Sequence, residues 1–308
     1  MFEYEVRTEI THVYQNLHLL DDGPSVQVPR TLPRIVRRLL GRLRRLEQQA
    51  GYSGKAMREG ILAEGDPRQA SIRAAVAVVS KPTRLGNGKW KLKTSGTFAE
   101  NYYVCETDPF ALQQAIAGCG GALVGPNVVL TAGHCVEPKP KPNWFAFGVD
   151  VSRAPDFILE PKEVVMGVVE EEIPSRDLAI VKLAERIPRS IALHVMMRPE
   201  NGSTSEELFL VGYPWSLPRK VVDGRLLKAG ESSFQATLDS NKSSGGAVYG
   251  SDFVLEGMHT KFGCDLITVN RCKVPVSCPG GQCTGVRVGR VPGSVQVRVA
   301  QLAFGAYQ

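Results

Sequence analysis

Residue types suited to acyl transfer occur in one order along this chain: His in Leu130-Thr-Ala-Gly-His134-Cys135, Asp in Asp177-Leu-Ala-Ile-Val-Lys-Leu183, and Ser in Asp239-Ser-Asn-Lys-Ser-Ser244-Gly-Gly-Ala247. A serine hydroxyl is a weak nucleophile near neutral pH. It needs a base within hydrogen-bonding reach, and that base needs a third group to fix its tautomer. The neighbours suit these roles. Ser244 precedes Gly245-Gly246, which leave room for a tight turn and an approaching substrate. The backbone N–H groups of Ser244 and Lys242 would then face a developing oxyanion, where each such donor contributes about 3 kcal/mol in the transition state. His134 ends the apolar run Val128-Val129-Leu130, expected to be a strand, and Asp177 opens the apolar stretch Leu178 to Leu183, expected to leave its carboxylate half buried at a strand mouth. Taken singly, each residue has an ordinary reading: a core histidine, a surface carboxylate, a glycine-rich turn. The combination is what points to catalysis.

The elements that would position these residues are mostly short strands. Ile72 to Val79, Lys89 to Thr94, Ala122 to Val124, Asn127 to Leu130, Trp144 to Phe147 and Val164 to Val169 read as β, separated by Gly, Pro and Asn turns. Leu208 to Gly212, Leu226-Leu227, Ala247 to Tyr249, Phe253 to Leu255 and Val286 to Val288 continue the style, as expected of an all-β barrel or sandwich protein. Residues 1 to 68 differ. Between Arg34 and Ala50, the residues Ile35, Leu39, Leu43 and Leu46 fall at helical spacing with arginines on the other side. This basic amphipathic helix either packs on its own domain or docks on a regulatory partner or membrane surface. The domain reading is therefore an N-terminal helical extension over 1–68 and a catalytic domain over 69–308, divided near residue 190.

Composition is that of an ordinary globular protein: 308 residues, 43% hydrophobic and 22% charged, with a net charge of +6. No basic stripe is interleaved with aromatics, which argues against nucleic acid as a partner. No run approaches the roughly 18 apolar residues of a membrane span. The first residues, Met1-Phe-Glu-Tyr-Glu-Val-Arg7, lack the apolar core of a secretory signal, so the expected location is the cytoplasm.

The order His, Asp, Ser and the runs around each resemble the chymotrypsin-like (trypsin-fold) serine peptidases. TAGHC and SSGGA stand close to that family's TAAHC and GDSGGP. The chain is most similar to the bacterial branch related to glutamyl endopeptidases, through Gly212-Tyr-Pro-Trp-Ser-Leu-Pro-Arg-Lys220, Phe234-Gln-Ala-Thr-Leu-Asp239 and Leu255-Glu-Gly-Met-His-Thr260. The likeness covers about residues 70 to 300. It implies two six-stranded antiparallel barrels, His134 and Asp177 from the first and Ser244 from the second, and a Cys119–Cys135 disulfide. A protein or peptide is the implied substrate, and no cofactor or metal is called for. Two departures stand out. Ser243 replaces the aspartate that receives a new N-terminus in trypsin-type zymogens, so that activation route is not expected. Lys242 stands where the family usually has glycine, at a strain cost of roughly 1–2 kcal/mol if its φ is positive.

Of the seven cysteines, Cys264, Cys272, Cys278 and Cys283 crowd a Gly- and Pro-rich stretch, and Cys105 is left over. Disulfides, zinc and free thiols all remain open for the clustered four. Two residues give opposite indications of specificity. By resemblance, His259, with Thr260 beside it, sits where glutamate-preferring relatives meet a substrate carboxylate. Asp239, five residues before Ser244, would instead attract Arg or Lys, and plain electrostatics leans that way. The expected activity is that of a selective serine endopeptidase. The alternative is a catalytically silent binding or scaffold protein on a peptidase fold.

Overall fold

The computed structural model describes residues 57–59, 67–106, 108, 110–138, 140–150, 161–199, 202, 204–238, 242–261, 266–269, 272–275 and 286–304. The amphipathic segment 34–50, Asp239, Cys264, Cys278 and Cys283 lie outside the described residues. In chain order, strand β1 (Met57–Glu59) and helix α1 (Gln69–Ala74) lead into β2 (Ala75–Val79). A small hairpin of β3 (Thr83–Arg84) and β4 (Trp90–Lys91) and a short helix α2 (Phe98–Tyr102) come next. Then follow β5 (Cys119–Gly125), β6 (Val128–Ala132), β7 (Asn143–Phe147), β8 (Glu163–Ile173) and β9 (Leu178–Leu183). The second half holds β10 (Glu207–Gly212), β11 (Lys220–Lys228), β12 (Ser233–Ala236), β13 (Ala247–Gly250) and β14 (Leu255–Lys261). It ends with a hairpin of β15 (Leu266–Val269) and β16 (Cys272–Pro275), then β17 (Val286–Arg290) and helix α3 (Gly293–Phe304).

These strands form two antiparallel six-stranded barrels. The first closes in the order β2-β5-β6-β9-β8-β7. The second runs β11-β10-β13-β14-β17-β12 and closes through β11–β12, with β1 added at the β11 side. Closure removes the unpaired edges that open sheets expose. It also explains the near-continuous apolar runs: β2, β5 and β6 are buried along their whole length, one face filling the barrel and the other covered. One core fills the first barrel and runs on to Phe209, Val211, Tyr249 and Met258 of the second, so the barrels share an apolar seam. A separate core of Leu210, Val222, Phe234, Val248 and Val288 fills the second.

Three local expectations change. Phe253 is not in a strand: it sits in a turn with φ 64°, and β14 begins at Leu255. The run from Ile72 to Val79 is not one strand: Gln69–Ala74 is helical, and Ser71, Ile72 and Ala74 are buried. The Ile72 N–H bonds to the Arg68 carbonyl, closing a helical turn, and pairing with β5 and β7 begins only at Ala75 and Val76. Of Lys89 to Thr94, only Trp90–Lys91 pairs as strand. Helix α3 carries Val295 and Val299 four residues apart on its buried side, with Leu302 and Ala303 packed on the same core. Among the described residues, no helix is long and apolar enough to cross a membrane.

The connection from residue 95 to 117 is held like a strap across the second barrel. A capping box starts α2: the Glu100 N–H donates to Thr97 Oγ1, and the Thr97 N–H to Glu100 Oε2. Lys220, buried, donates from Nζ to Gln113 Oε1 at 2.7 Å, and the Ile116 N–H bonds to the Ser216 carbonyl. Cys105 is cross-linked to Cys272 of β16. This corrects the reading of Cys105 as left over and takes Cys272 out of any four-thiolate zinc site. The partners lie 167 residues apart and meet only because the strap packs on the β15–β16 hairpin. Replacing both with serine is expected to lower stability by about 2–5 kcal/mol. Urea unfolding under non-reducing conditions measures this, and an unchanged midpoint would contradict it.

Candidate active site

The turn after β6, Gly133–Cys135, carries His134 to the end of the first barrel, and the residue before β9 is Asp177. Because β6 and β9 pair in register from Val128↔Lys182 to Ala132↔Leu178, their ends come together. Asp177 has φ 54°, in the left-handed region that Asp and Asn tolerate best among residues with a Cβ. That conformation turns its carboxylate back on the histidine. Oδ2 lies 2.7 Å from His134 Nδ1, and Oδ1 accepts the His134 backbone N–H at 3.0 Å. The same carboxylate thus orients both ring and backbone, and an Nδ1–H donated to it leaves Nε2 as the acceptor. The Gly133 N–H bonds to the Asp177 carbonyl at 2.9 Å, tying the two turns together. The Asp177 side chain is 38% exposed, the half-buried placement expected.

Ser244 comes from the turn before β13 in the other barrel. This turn is bonded on two sides. The Gly120 N–H of β5 donates to the Ser244 carbonyl at 2.8 Å. On the opposite flank the Gly245 N–H donates to the His259 carbonyl, and the His259 N–H to the Gly246 carbonyl. Gly245 has φ +75°, and a Cβ there would run into the Gly120 carbonyl and lie 2.6 Å from Thr131 Oγ1, three residues before His134. The glycine therefore lets the serine loop of one barrel sit directly on the histidine strand of the other. Among the described residues the Ser244 hydroxyl has no hydrogen bond to the imidazole. Such contacts are often long before substrate binds.

Lys242 has φ 52°, so the strained conformation anticipated for a side chain at this position is adopted. Among the described residues neither its N–H nor that of Ser244 has an internal acceptor. Donors without an internal acceptor are what an oxyanion site requires. The Lys242 ammonium lies 4.7 Å from the Tyr102 ring centre and 5.2 Å from that of Trp215. Neither ring stood out in the sequence as part of the site, since Tyr102 is 140 residues from Lys242. Ser243 is buried against Gly212 and Gly246, and its hydroxyl has no hydrogen-bond partner among the described residues.

His259 is fully buried on β14, and among the described residues neither ring nitrogen has a hydrogen-bond partner. Burial pushes its pKa down to about 4, with the nearby His134 adding to the effect. The imidazole is therefore neutral at physiological pH. Thr260 Oγ1 is turned toward the Arg287 carbonyl at 3.4 Å. Cys119 and Cys135 are cross-linked, anchoring the strand that carries Gly120 to the turn that carries His134.

Residues 119–258, from β5 to β14, match the family model of the trypsin-like peptidase domain. That match spans His134, Asp177 and Ser244, so the chain carries a trypsin-like peptidase domain over these residues. Among solved structures it is similar to a Glu endopeptidase at 14% identity, covering 80% of this chain and 97% of that one with a TM-score of 0.48. It is also similar to kallikrein-related peptidase 10 at 14% identity, over 76% and 96% of the two chains with a TM-score of 0.46. The MamO protease domain from Magnetospirillum magneticum matches at 17% identity, over 73% and 95% with a TM-score of 0.41.

The buried histidine makes stability depend on pH. Its folded pKa of about 4 lies below the ordinary value of 6.5, so between these the unfolded chain binds more protons. The stabilisation is complete above pH 6.5 and lost as pH falls toward 4, by about 3 kcal/mol. His259→Gln should flatten this part of the stability profile, measured by urea unfolding from pH 4 to 8. An equally steep profile in the variant would refute the assignment.

Proposed function

We propose that Ser244, His134 and Asp177 act as one catalytic relay in a selective protein-processing peptidase. Ser244 Oγ attacks the substrate carbonyl carbon and its proton passes to His134 Nε2. Asp177, bonded to Nδ1, holds the ring in the required tautomer and stabilises the imidazolium. The N–H groups of Lys242 and Ser244 accommodate the negative charge on the carbonyl oxygen. Collapse of this intermediate breaks the C–N bond as His134 returns its proton to the leaving amine. Water then repeats the sequence and releases the acyl group from Ser244. The observation that carries the reading is the two-point hold of the Asp177 carboxylate on His134, at 2.7 Å to the ring and 3.0 Å to the backbone. A surface pair of no consequence would not need a left-handed aspartate to make it.

The side chain before the scissile bond is assigned to the His259 flank of the serine loop, as in the glutamyl endopeptidase branch. A buried imidazole with two unpartnered nitrogens is a standing polar deficit, worth about 1–3 kcal/mol for an unmade hydrogen bond. The ring is 0% exposed before substrate binds, so a carboxylate reaches it only if the serine-loop flank opens; it then supplies the partner and raises the histidine pKa, and glutamyl binding takes up a proton.

Ser244→Ala should leave unfolding unchanged and remove nearly all peptide turnover and fluorophosphonate labelling. Asp177→Asn, which keeps the left-handed backbone, should lower kcat by about 10³–10⁴-fold. Cleavage surviving in either variant at the parental rate would overturn the relay. A peptide panel varied before the cut site reads the pocket: preference for Glu supports the histidine assignment, whereas preference for Lys or Arg would return it to Asp239.

A further inference from the structure

The Lys242 side chain is exposed beside the serine loop and makes no ion pair among the described residues. Its ammonium faces the rings of Tyr102 and Trp215, which meet edge-on at 5.1 Å with Phe98 behind them at 5.6 and 6.0 Å. Those rings are held in place at some cost. Trp215 and Ser216 have φ 55° and 65°, both left-handed, and Tyr102 rides on the capped helix α2. The Cys105–Cys272 bridge and the bonds of Cys105 N–H to the Lys273 carbonyl and Lys273 N–H to the Tyr103 carbonyl fasten the strap that carries it. A ring face stabilises a cation without a formal charge, so the ammonium keeps its net charge and its capacity to pair with an anion.

The position of this platform relative to the reacting bond follows from the backbone. The serine loop has β14 and His259 on one flank, assigned above to the acyl part of the substrate. Its other flank is Gly120. The Ile116 and Ala117 N–H groups bond to the Ser216 carbonyl, and the chain then runs directly into Cys119 and Gly120. Cys119 is in turn cross-linked to Cys135, beside the histidine that protonates the leaving amine. The ring platform is thus continuous with the flank from which the amine departs.

We propose that Lys242, held over the Tyr102–Trp215 ring pair, selects an acidic side chain at the first or second residue beyond the scissile bond. The inference rests on the reading of Ser244 as nucleophile. It assigns the lysine a second role: its N–H faces the oxyanion and its side chain reads the leaving peptide. The rings fix the ammonium in one place and supply apolar surface for the stem of a glutamate.

The test uses the full chain and peptides identical except for Glu, Ala or Lys at those two positions. The expected kcat/KM for Glu exceeds that for Ala by about three- to tenfold, Lys falls below Ala, and the differences shrink in 0.5 M salt. Each variant is judged by its own Glu-to-Ala ratio, which cancels any change in the oxyanion site. Lys242→Arg should keep the ratio, Lys242→Gln bring it to about one, and Lys242→Glu invert it. Tyr102→Leu should lower it while Lys242 is intact. A parental ratio near one, or a ratio that survives Lys242→Gln, would overturn the proposal. Fluorescence anisotropy with labelled, uncut peptides and Ser244→Ala reads the same preference without turnover. An acidic preference there with no hydrolysis by the parent would sink the catalytic relay and leave this subsite standing. Equal binding of all three peptides would sink the subsite alone.

Discussion

The peptide groups of Ser244 and Gly245 are where the two barrels meet, and the rest of the active cleft depends on that contact. One hydrogen bond, from the Gly120 N–H to the Ser244 carbonyl, registers the serine loop of the second barrel on β5 of the first. The approach is so close that a Cβ at residue 245 would collide with the Gly120 carbonyl. Thr131 Oγ1 donates to that same carbonyl at 2.6 Å, so the contact is already saturated from the histidine strand. A hydroxyl and an imidazole on different barrels hold a common geometry only if the backbone between them cannot slide. Here it is pinned by hydrogen bonds on both flanks and by the Cys119–Cys135 bridge.

Strain is concentrated around this contact. Asp177, Lys242, Trp215 and Ser216 all take left-handed backbone conformations without being glycine. Each such conformation costs on the order of 1–2 kcal/mol. For Asp177 the return is a carboxylate that grips both ring and backbone of His134. For Lys242 it is a free N–H next to Ser244, together with an ammonium seated on two aromatic rings. Conserving the fold alone would not require a lysine in that conformation, since glycine would relieve the strain. The side chain is therefore read as functional.

Much of this was legible in the chain itself. The apolar runs marked most barrel strands because closure buries both of their faces, and the motifs around His134, Asp177 and Ser244 named the candidate residues. Helix α3 was not among the expected elements, although Val295, Val299 and Leu302 stand at the spacing it packs inward. Other features left no local trace. Alanine-rich residues 69 to 74 suit helix or strand alike, and packing of Ile72 and Ala74 decided the outcome. Cys105 and Cys272 have no spacing that pairs them, because a bridge closing 167 residues reflects where a strap lands on a distant hairpin.

By itself the sequence determined the chemistry on offer: a hydroxyl, an imidazole and a carboxylate, each at the end of a strand, and two glycines after the serine. The tertiary structure alone decided their relations. It bonded Asp177 to both the ring and the backbone of His134, buried His259 with no hydrogen-bond partner among the described residues, and brought Tyr102 of the strap and Trp215 of the second barrel under Lys242. Side-chain type and strand periodicity are local properties that adjacent residues reveal. Burial, desolvation and the facing of charge against ring depend on which distant segments fill the same volume, and that is settled only when the barrels close and pack.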